Sequence, residues 1–347
     1  MPRFERVKFE PAQWASTLCG FDDAIVYQSS AYLSFLADTQ KGEIVIAELK
    51  EGNETLGYFS GLLIRRFGLK ILGSPFRAWT CPYIGFNLRP GVPRRTAVEA
   101  LPRFAFKELK CLHLEVVDSY LREEDVANLG FVTEARDTYV VDLTPSEEQV
   151  LANMNSFRRR DIRRAEKHGI IIEEAKDAGI ADDYAKQLGE VFGKQGLLPT
   201  FGVERVRALL KHLGPTGMLL ALRARHPDGR CMATALFTGM QGKAFYWGGA
   251  SWREFQKLCP NELLQWHAMK YWKARGMKTY NLVGTMEFKA RFGGQPTTMT
   301  MISKSRNRLI ASVRAKAPAV LKASLRLGWK LKNIGKAKAP AMPETGS

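Results

Sequence analysis

The sequence repeats one order of secondary-structure elements, and this repeat restricts the folds open to it. Strand-like runs flank a turn signal twice, at 43–49 and 54–64 around Gly52-Asn53, and at 218–224 and 231–239 around Asp228-Gly229. A third strand-like run, 243–251, follows the second pair. The two turns are separated by half the chain length, as expected if one unit has been duplicated.

Both halves continue in the same way. A helix-like and then a strand-like segment follow each hairpin, at 94–110 and 112–118 and again at 261–276 and 278–284. Each half closes with a β segment, 131–143 in the first and 295–303 in the second. This order predicts two α/β domains of one architecture, joined near 144–149, where Thr144 and Pro145 begin a new helix.

Positive charge is concentrated at the C-terminal end of the chain. The 347 residues include 52 Lys plus Arg and 35 Asp plus Glu, which gives a net charge of +17. Residues 304–347 hold eleven of the basic residues and one acidic residue, Glu344. The rest of the chain is only moderately basic. The charge therefore indicates an anionic partner for the tail, and no DNA partner is expected.

Within this tail, 320–334 has the pattern of a basic amphipathic helix with Trp329 near the boundary of its two faces. The apolar face comprises Val320, Leu321, Leu325, Leu327 and Leu331, and the basic face comprises Lys322, Arg326 and Lys330. The composition is typical of a segment that lies on an anionic membrane surface. We therefore predict membrane contact through 304–338 for a cytoplasmic protein peripheral to the inner face of the cell membrane. A poorly ordered basic tail is the alternative.

Several classes of protein are not expected. Five cysteines without a CxxC pair predict reduced thiols and no metal site. The first 14 residues carry charges where a signal peptide has its apolar core, and no run approaches about 18 apolar residues. The histidines are scattered, and no GxSxG, P-loop or EF-hand pattern occurs.

The first motif with potential chemistry is the basic segment 155–169, which ends at a predicted left-handed Gly169. At 100° per residue, two opposite faces result, one with Arg159, Arg160, Arg163, Arg164 and Lys167 and one with Phe157, Ile162 and Ala165. The basic face is either a solvated surface or a docking site for phosphate groups. Arg158 falls in the apolar arc, where it either pairs with Asp161 or reaches into a cleft.

The second motif is the aromatic strand end 245–251. Glycines at this point either allow a bulge and the close approach of a ligand, or serve the end of a hairpin. A helix then begins at Pro260 and Asn261, with Glu262 in its first turn. A helix N-terminus opposite an open strand end would favour an anion.

The third motif is 287–294, directly after the strand-like segment 279–284. It contains a lysine between two phenylalanines, whose ammonium can face a developing oxyanion or a substrate phosphate. A surface lysine with a buried stem is the alternative.

In this order, the motifs resemble the FemAB and BioF2-like branch of the GNAT acyltransferase superfamily, best over 145–294 and in layout over 25–145. The resemblance implies an α/β fold of two tandem GNAT-like domains, 1–144 and 145–303, followed by the basic amphipathic tail 304–347. Each domain would be a mixed, mostly antiparallel sheet flanked by helices. The implied activity is amide-forming transfer of an acyl or aminoacyl group to an amine.

Carried over by position, the resemblance implies Lys289 as the catalytic residue. It implies substrate contacts from Arg158, Arg159, Tyr246, Trp247, Gly248, Gly249, Arg253, Asn261, Glu262, Asn281, Phe288 and Phe292. Asn281 stands where family members often have an acidic residue, so no general base is assigned. The usual GNAT pyrophosphate loop does not precede residue 261, and the acyl donor stays open among acyl-coenzyme A, acyl carrier protein and aminoacyl-tRNA.

Two functions follow as hypotheses. The first is an N-acyltransferase acting on an amine of a cell-envelope precursor, which would be an amino sugar, a peptidoglycan peptide or a lipid-linked glycan. The second is a non-catalytic basic protein that docks RNA or membrane. A nucleic-acid binder interleaves basic and exposed aromatic residues on one surface. Here the aromatic residues follow apolar strand and helix patterns, which favours the enzyme.

Overall fold

The computed structural model describes residues 1–66, 68–76 and 80–333. Within these ranges the helices are α1 (Pro11–Cys19), α2 (Ser30–Gln40), α3 (Arg94–Arg103), α4 (Glu123–Val126), α5 (Glu147–Ala152), α6 (Ser156–Lys167), α7 (Gly179–Gly193), α8 (Val203–Leu213), α9 (Pro260–Ala274), α10 (Glu287–Ala290) and α11 (Arg308–Lys332). The strands are β1 (Arg3–Val7), β2 (Glu43–Glu51), β3 (Glu54–Arg66), β4 (Leu69–Ser74), β5 (Phe86–Leu88), β6 (His113–Asp118), β7 (Val132–Asp142), β8 (Ile171–Glu174), β9 (Leu219–Arg225), β10 (Cys231–Met240), β11 (Lys243–Ser251), β12 (Thr279–Asn281) and β13 (Gln295–Ser305).

Local signals set the limits of the helices that position the site. The Asn155 side chain caps α6 by accepting a hydrogen bond from the Phe157 backbone N–H at 2.8 Å. After α6, Gly169 adopts the predicted left-handed conformation with φ 68. Helix α9 begins with Pro260 in its first turn, after Cys259 in a left-handed conformation. The predicted starts of both helices are confirmed.

The strands form one continuous sheet that is mostly antiparallel. Its order is β1-β2-β3-β4-β6-β13-β7-β12-β11-β10-β9-β8, with β5 paired to β3. Two neighbouring pairs are parallel, β4 with β6 and β11 with β12. These parallel pairs occupy matching places in the two halves, which agrees with the duplication that the sequence indicates.

The two halves exchange their last strands. Strand β13, from the second half, pairs with β6 of the first half over Thr300–Ser305, and β7 pairs with β12 of the second half. At the centre of the sheet, β13 and β7 pair with each other from Gln295 to Ser303. The sequence predicted both closing strands but gave no sign of their exchange. The predicted start of the tail, Lys304, lies within β13.

Helices cover both faces of the second half of the sheet. Helices α6 and α9 pack over one face, with a core that includes Ile162, Leu264 and Trp272. Helix α7 covers β10 and β11 on the other face, and α8 packs on α7 and on α2 of the first half. The core on this side joins the halves and contains Tyr32 and Trp247, both almost fully buried. The cleft between α2 and α8, described below, lies at this junction.

The predicted tail contains a long helix as far as the structure describes it. Helix α11 is capped by Asn307, whose side chain accepts a hydrogen bond from the Ile310 backbone N–H at 3.0 Å. The last part of the predicted membrane segment, 334–338, lies outside the described residues. Among the helices of the described ranges, none is long and apolar enough to cross a membrane.

Candidate active site

Strand β11 separates from β12 beyond Phe245. The parallel ladder pairs Lys243–Phe245 with Thr279–Asn281, and in the described chain it has no further pairs. In the described chain, the edge of 246–251 on the β12 side therefore lacks a strand partner, and we call the gap between this edge and β12 the opening. A bulge at Trp247, between the pairs Leu236 with Gly248 and Phe237 with Tyr246, bends the strand at the same point.

On the β12 side of the opening, Val283 has a left-handed backbone conformation. Its φ of 53 is strained for a β-branched residue, at a cost of about 1–3 kcal/mol. Two predicted site residues hold this conformation. The Asn281 side chain accepts a hydrogen bond from the Val283 N–H at 2.8 Å, and the Lys289 ammonium donates one to the Val283 carbonyl. The strained turn thus depends on side chains from β12 and α10.

Lys289 connects the two sides of this opening. Its ammonium is bonded to Val283 on one side and lies 5.4 Å from the ring centroid of Tyr246 on the other. The side chain is buried, and burial lowers the pKa of the ammonium to about 8. Burial also raises the pKa of the Tyr246 phenol, so that ring stays neutral. Lys289 can therefore supply a positive charge with little solvent to screen it.

The two glycines of β11 allow a close approach by neighbouring tyrosines. A Cβ on Gly248 would lie 2.6 Å from the Tyr184 hydroxyl, and one on Gly249 would lie 2.6 Å from the Tyr246 hydroxyl. The glycines are therefore required by packing within the protein. The neighbouring Trp247 is part of the buried core. Its indole N–H donates to the Tyr32 hydroxyl at 3.3 Å, and its ring packs against Phe201.

Gly248→Ala is expected to lower the free energy of unfolding by about 1–3 kcal/mol, because its methyl group would overlap the Tyr184 hydroxyl. The next nearest Tyr184 atom to that methyl group is Cζ at 3.7 Å. The double variant Gly248→Ala/Tyr184→Phe should therefore recover most of the loss. Urea denaturation of the two single variants and the double variant measures this coupling. Strictly additive effects would contradict the assigned contact.

Arg158 is committed to contacts inside the protein. It is 2% exposed, and its guanidinium lies 2.6 Å from a Glu262 carboxylate oxygen and donates to the Phe288 carbonyl at 3.0 Å. The rings of Phe288 and Phe292 each have their centroid 4.4 Å from its guanidinium carbon. Asp161 lies farther away, at 3.7 Å. Arg158 thus ties α6, α9 and α10 together beneath the opening and positions the helix that carries Lys289.

Other predicted site residues have structural contacts of their own. Arg159 donates to the backbone carbonyls of Ala152 and Met154 at the end of α5. Asn261 donates to the Ser251 hydroxyl at 2.9 Å and so joins the start of α9 to the end of β11. The side chain of Arg253 is exposed. Arg159 and Arg253 therefore lie outside the group around Lys289, whereas Asn261 borders the strand that forms it.

The basic face predicted for α6 is present in part. Arg160, Arg163, Arg164 and Lys167 are exposed, and Ile162 and Ala165 are buried as predicted. Phe157, which the sequence placed on the same apolar face, is 52% exposed. It lies at the first turn of α6, where its ring stacks with the Arg160 guanidinium, whose carbon lies 5.0 Å from the ring centroid.

The sequence interpretation missed a second basic group, Arg205 of α8. Its guanidinium carbon lies 5.2 Å from the centroid of Phe201, and Nη2 lies 3.5 Å from the Thr80 hydroxyl. Burial lowers its pKa, and its Nε is buried without a hydrogen bond among the described residues. Arg205 and Phe201 line an open cleft between α2 and α8. Arg205 precedes Leu209 by one helical turn, so its place on the apolar face of α8 was a usable signal.

One group of possible metal ligands does not suit a metal ion. Atoms of Asp161, Cys259 and Glu262 lie within 4.8 Å of one another. The Arg158 guanidinium already supplies the positive charge beside both carboxylates. Burial raises the pKa of the Cys259 thiol to about 11, which disfavours the thiolate that binds metals.

Sequence comparison relates the second half of the chain to known transferases. The sequence profile of the acetyltransferase (GNAT) domain matches residues 154–290. Lipid II:glycine glycyltransferase of Staphylococcus aureus is 39% identical over 67 residues. This alignment covers 19% of the present chain and 16% of the relative. The chain is therefore aligned with only a small part of that relative's length.

Comparison of structures extends the similarity to nearly the whole chain. A crystal structure of FemX has a TM-score of 0.71 at 14% identity and covers 89% of this chain and 99% of its own. A tandem GNAT protein from the clavulanic acid biosynthesis pathway has a TM-score of 0.52 at 11% identity and covers 88% and 99%. At these identities the two structures establish the fold, and the predicted tandem GNAT architecture is confirmed.

Proposed function

We propose that this chain is an acyltransferase of the FemAB-like branch of the GNAT superfamily and that it transfers an acyl or aminoacyl group to an amine of a cell-envelope precursor. The observation that carries the proposal is the opening between β11 and β12, which brings an unpaired strand edge and the Lys289 ammonium together. Both are groups that can stabilise the negative charge of an acyl-transfer intermediate.

The proposed reaction needs little covalent work from the protein. The acceptor amine attacks the carbonyl carbon of a thioester or ester, loses its proton, and expels the thiol or hydroxyl of the donor. Backbone N–H groups of 246–251 hold the developing oxyanion, and Lys289 steadies its charge. Arg158 and Asn281 act as positioning residues, because they hold α10 and the Val283 turn in place.

Arg205 supports an acceptor that carries a phosphate or another anion. The cleft beside it adjoins Phe201, whose ring packs against Trp247 of the open strand. A guanidinium on one wall suits a phosphorylated or lipid-linked precursor. The similar transferase from S. aureus is named for lipid II, a precursor of this kind. We therefore favour a lipid-linked peptidoglycan precursor over a free amino sugar.

For the donor we propose aminoacyl-tRNA. The exposed arginines and lysine of α6 form a positive surface in the same half of the chain as Lys289. Such a surface suits a polyanion, and an acyl carrier protein is the second candidate. No metal takes part in the proposed reaction.

The proposal is tested by incubating the full chain with a lipid-linked peptidoglycan precursor and, in parallel, aminoacyl-tRNA, acyl carrier protein carrying an acyl group, or acyl-coenzyme A. Mass spectrometry should show an acceptor heavier by one aminoacyl residue, with aminoacyl-tRNA giving the fastest reaction. Acetylating the acceptor amine beforehand should abolish the product. RNA or membrane binding without product from any donor would instead support the non-catalytic alternative.

A further inference from the structure

One face of α11 is fixed against the body of the protein. The Arg314 guanidinium is paired with the buried carboxylate of Glu115 on β6. Further along the helix, the Leu325 carbonyl accepts a hydrogen bond from the Leu198 N–H at 3.4 Å, and the Trp329 ring lies beside Gly193 and Gly196. These contacts come from both ends of the helix and determine which face points outwards.

The outward face carries a continuous row of apolar side chains. At 100° per residue, Leu309, Val313, Val320, Leu327 and Leu331 lie within about 40° of one another. Their side chains are between 50% and 72% exposed. At 1.5 Å per residue, the row extends for about 33 Å along the helix. Leu321 and Leu325, which the sequence placed with these residues, lie about 120° and about 160° from Leu309, and Leu325 is half-buried.

Exposed basic residues lie along one side of this row, and α11 contains no acidic residue. Arg308, Lys316, Lys322, Arg326 and Lys330 are exposed. By the same angular count, Lys316 and Lys330 lie beside the apolar row, and Arg326 lies farther towards the body. A narrow apolar row next to uncompensated positive charge matches the boundary between anionic headgroups and acyl chains.

We propose that α11 docks the protein on an anionic lipid bilayer, with the row from Leu309 to Leu331 inserted at the headgroup boundary. The surface is complementary to lipid in both respects, since it offers apolar side chains for the acyl region and lysines for the lipid phosphates. An acidic groove on a partner protein would also match the positive charge of α11. Such a groove would have to be as long and as narrow as the apolar row. This proposal does not depend on the proposed acyl transfer.

Docking through α11 would also orient the candidate active site. The segment between α7 and α8 contacts Trp329 through Gly196, and it lines the cleft beside Arg205 through Phe201. A helix held on the bilayer is therefore connected to the cleft by a few residues. The cleft would stay close to the membrane surface, where a lipid-linked acceptor is found.

The test is co-sedimentation of the full chain with vesicles of phosphatidylglycerol and phosphatidylcholine, and with vesicles of phosphatidylcholine alone. The wild-type protein should partition about tenfold or more in favour of the anionic vesicles. Leu327→Gln/Leu331→Gln and, separately, Lys316→Gln/Lys330→Gln should each weaken this partition about tenfold or more. Higher salt should weaken binding further.

Matched controls change equally exposed residues elsewhere. Val132→Gln/Ile171→Gln removes two exposed apolar side chains, and Lys107→Gln/Lys186→Gln removes two exposed lysines. Both pairs should change the partition less than twofold, and circular dichroism should confirm that all variants are folded. Binding by the α11 variants equal to that of the controls, equal binding to both kinds of vesicle, or no sedimentation with either would overturn the proposal.

Discussion

Lys289→Met is expected to lower kcat/KM for acyl transfer by about 10²–10³-fold, because it removes the charge that faces the opening between β11 and β12. The fold should not suffer. Burial lowers the pKa of Lys289 to about 8, below the usual value for lysine. Keeping this ammonium charged at neutral pH therefore costs the folded state roughly 3 kcal/mol. Methionine fills a similar volume without that penalty, which offsets the loss of the hydrogen bond to the Val283 carbonyl, so thermal unfolding should occur near the wild-type temperature.

The matched control is Lys273→Met. Lys273 also donates to a backbone carbonyl, that of Leu143 at 2.7 Å. It lies in the last turn of α9, at the end opposite Pro260 and Asn261. This variant should keep full activity. The pH dependence gives a second test, since loss of the Lys289 proton should lower wild-type kcat as pH rises through about 8. Full activity of Lys289→Met would show that the site has been assigned incorrectly.

Arg158→Met is expected to lower the free energy of unfolding by about 3–5 kcal/mol, because it leaves the Glu262 carboxylate without its cationic partner in a buried setting. Burial raises the pKa of Glu262 even with Arg158 present, and removal of the arginine should raise it further. A carboxyl group whose pKa is higher in the folded state stabilises at low pH and loses that contribution as pH rises. The variant should therefore be closest to wild type under acidic conditions.

Two further variants separate this ion pair from general loss of packing. Glu262→Gln in the Arg158→Met background should recover a large part of the loss, since it removes the unpaired charge. Arg159→Met removes an arginine from the adjacent position that is bonded only to carbonyl groups at the end of α5, and it should cost about 1 kcal/mol. Urea denaturation at pH 5 and pH 7 measures all of these effects. An Arg158→Met loss no greater than that of Arg159→Met would contradict the assigned role.

Periodicity and turn chemistry predicted much of this fold. Strand β11 has the predicted limits, and α6 and α9 begin where their capping signals are. The repeated order of hairpin, helix and strand was sufficient to predict a duplicated α/β architecture. These features depend on neighbours along the chain, which is why a single sequence reveals them.

Local signals of this kind could not predict the exchange of β7 and β13. Either closing strand could pair beside β6 or beside β12 with the same alternation of side chains, and the choice depends on contacts between distant segments. The candidate active site was partly predictable. The motif order pointed to Lys289 and to the glycines. Tyr184 approaches Gly248 from α7, and Arg205 lies in the neighbouring cleft on α8; the sequence interpretation described neither helix.

The exchanged strands also determine when the protein can finish folding during synthesis. The ribosome completes β6 and β7 about 150 residues before it makes β13, the strand that fills the space between them. At typical rates of translation this interval lasts about 8–30 s. Throughout it, the edge of β6 that β13 will cover lacks its native partner and is open to pairing with β7 or with other chains. The first half can therefore complete its sheet only after β13 has emerged from the ribosome.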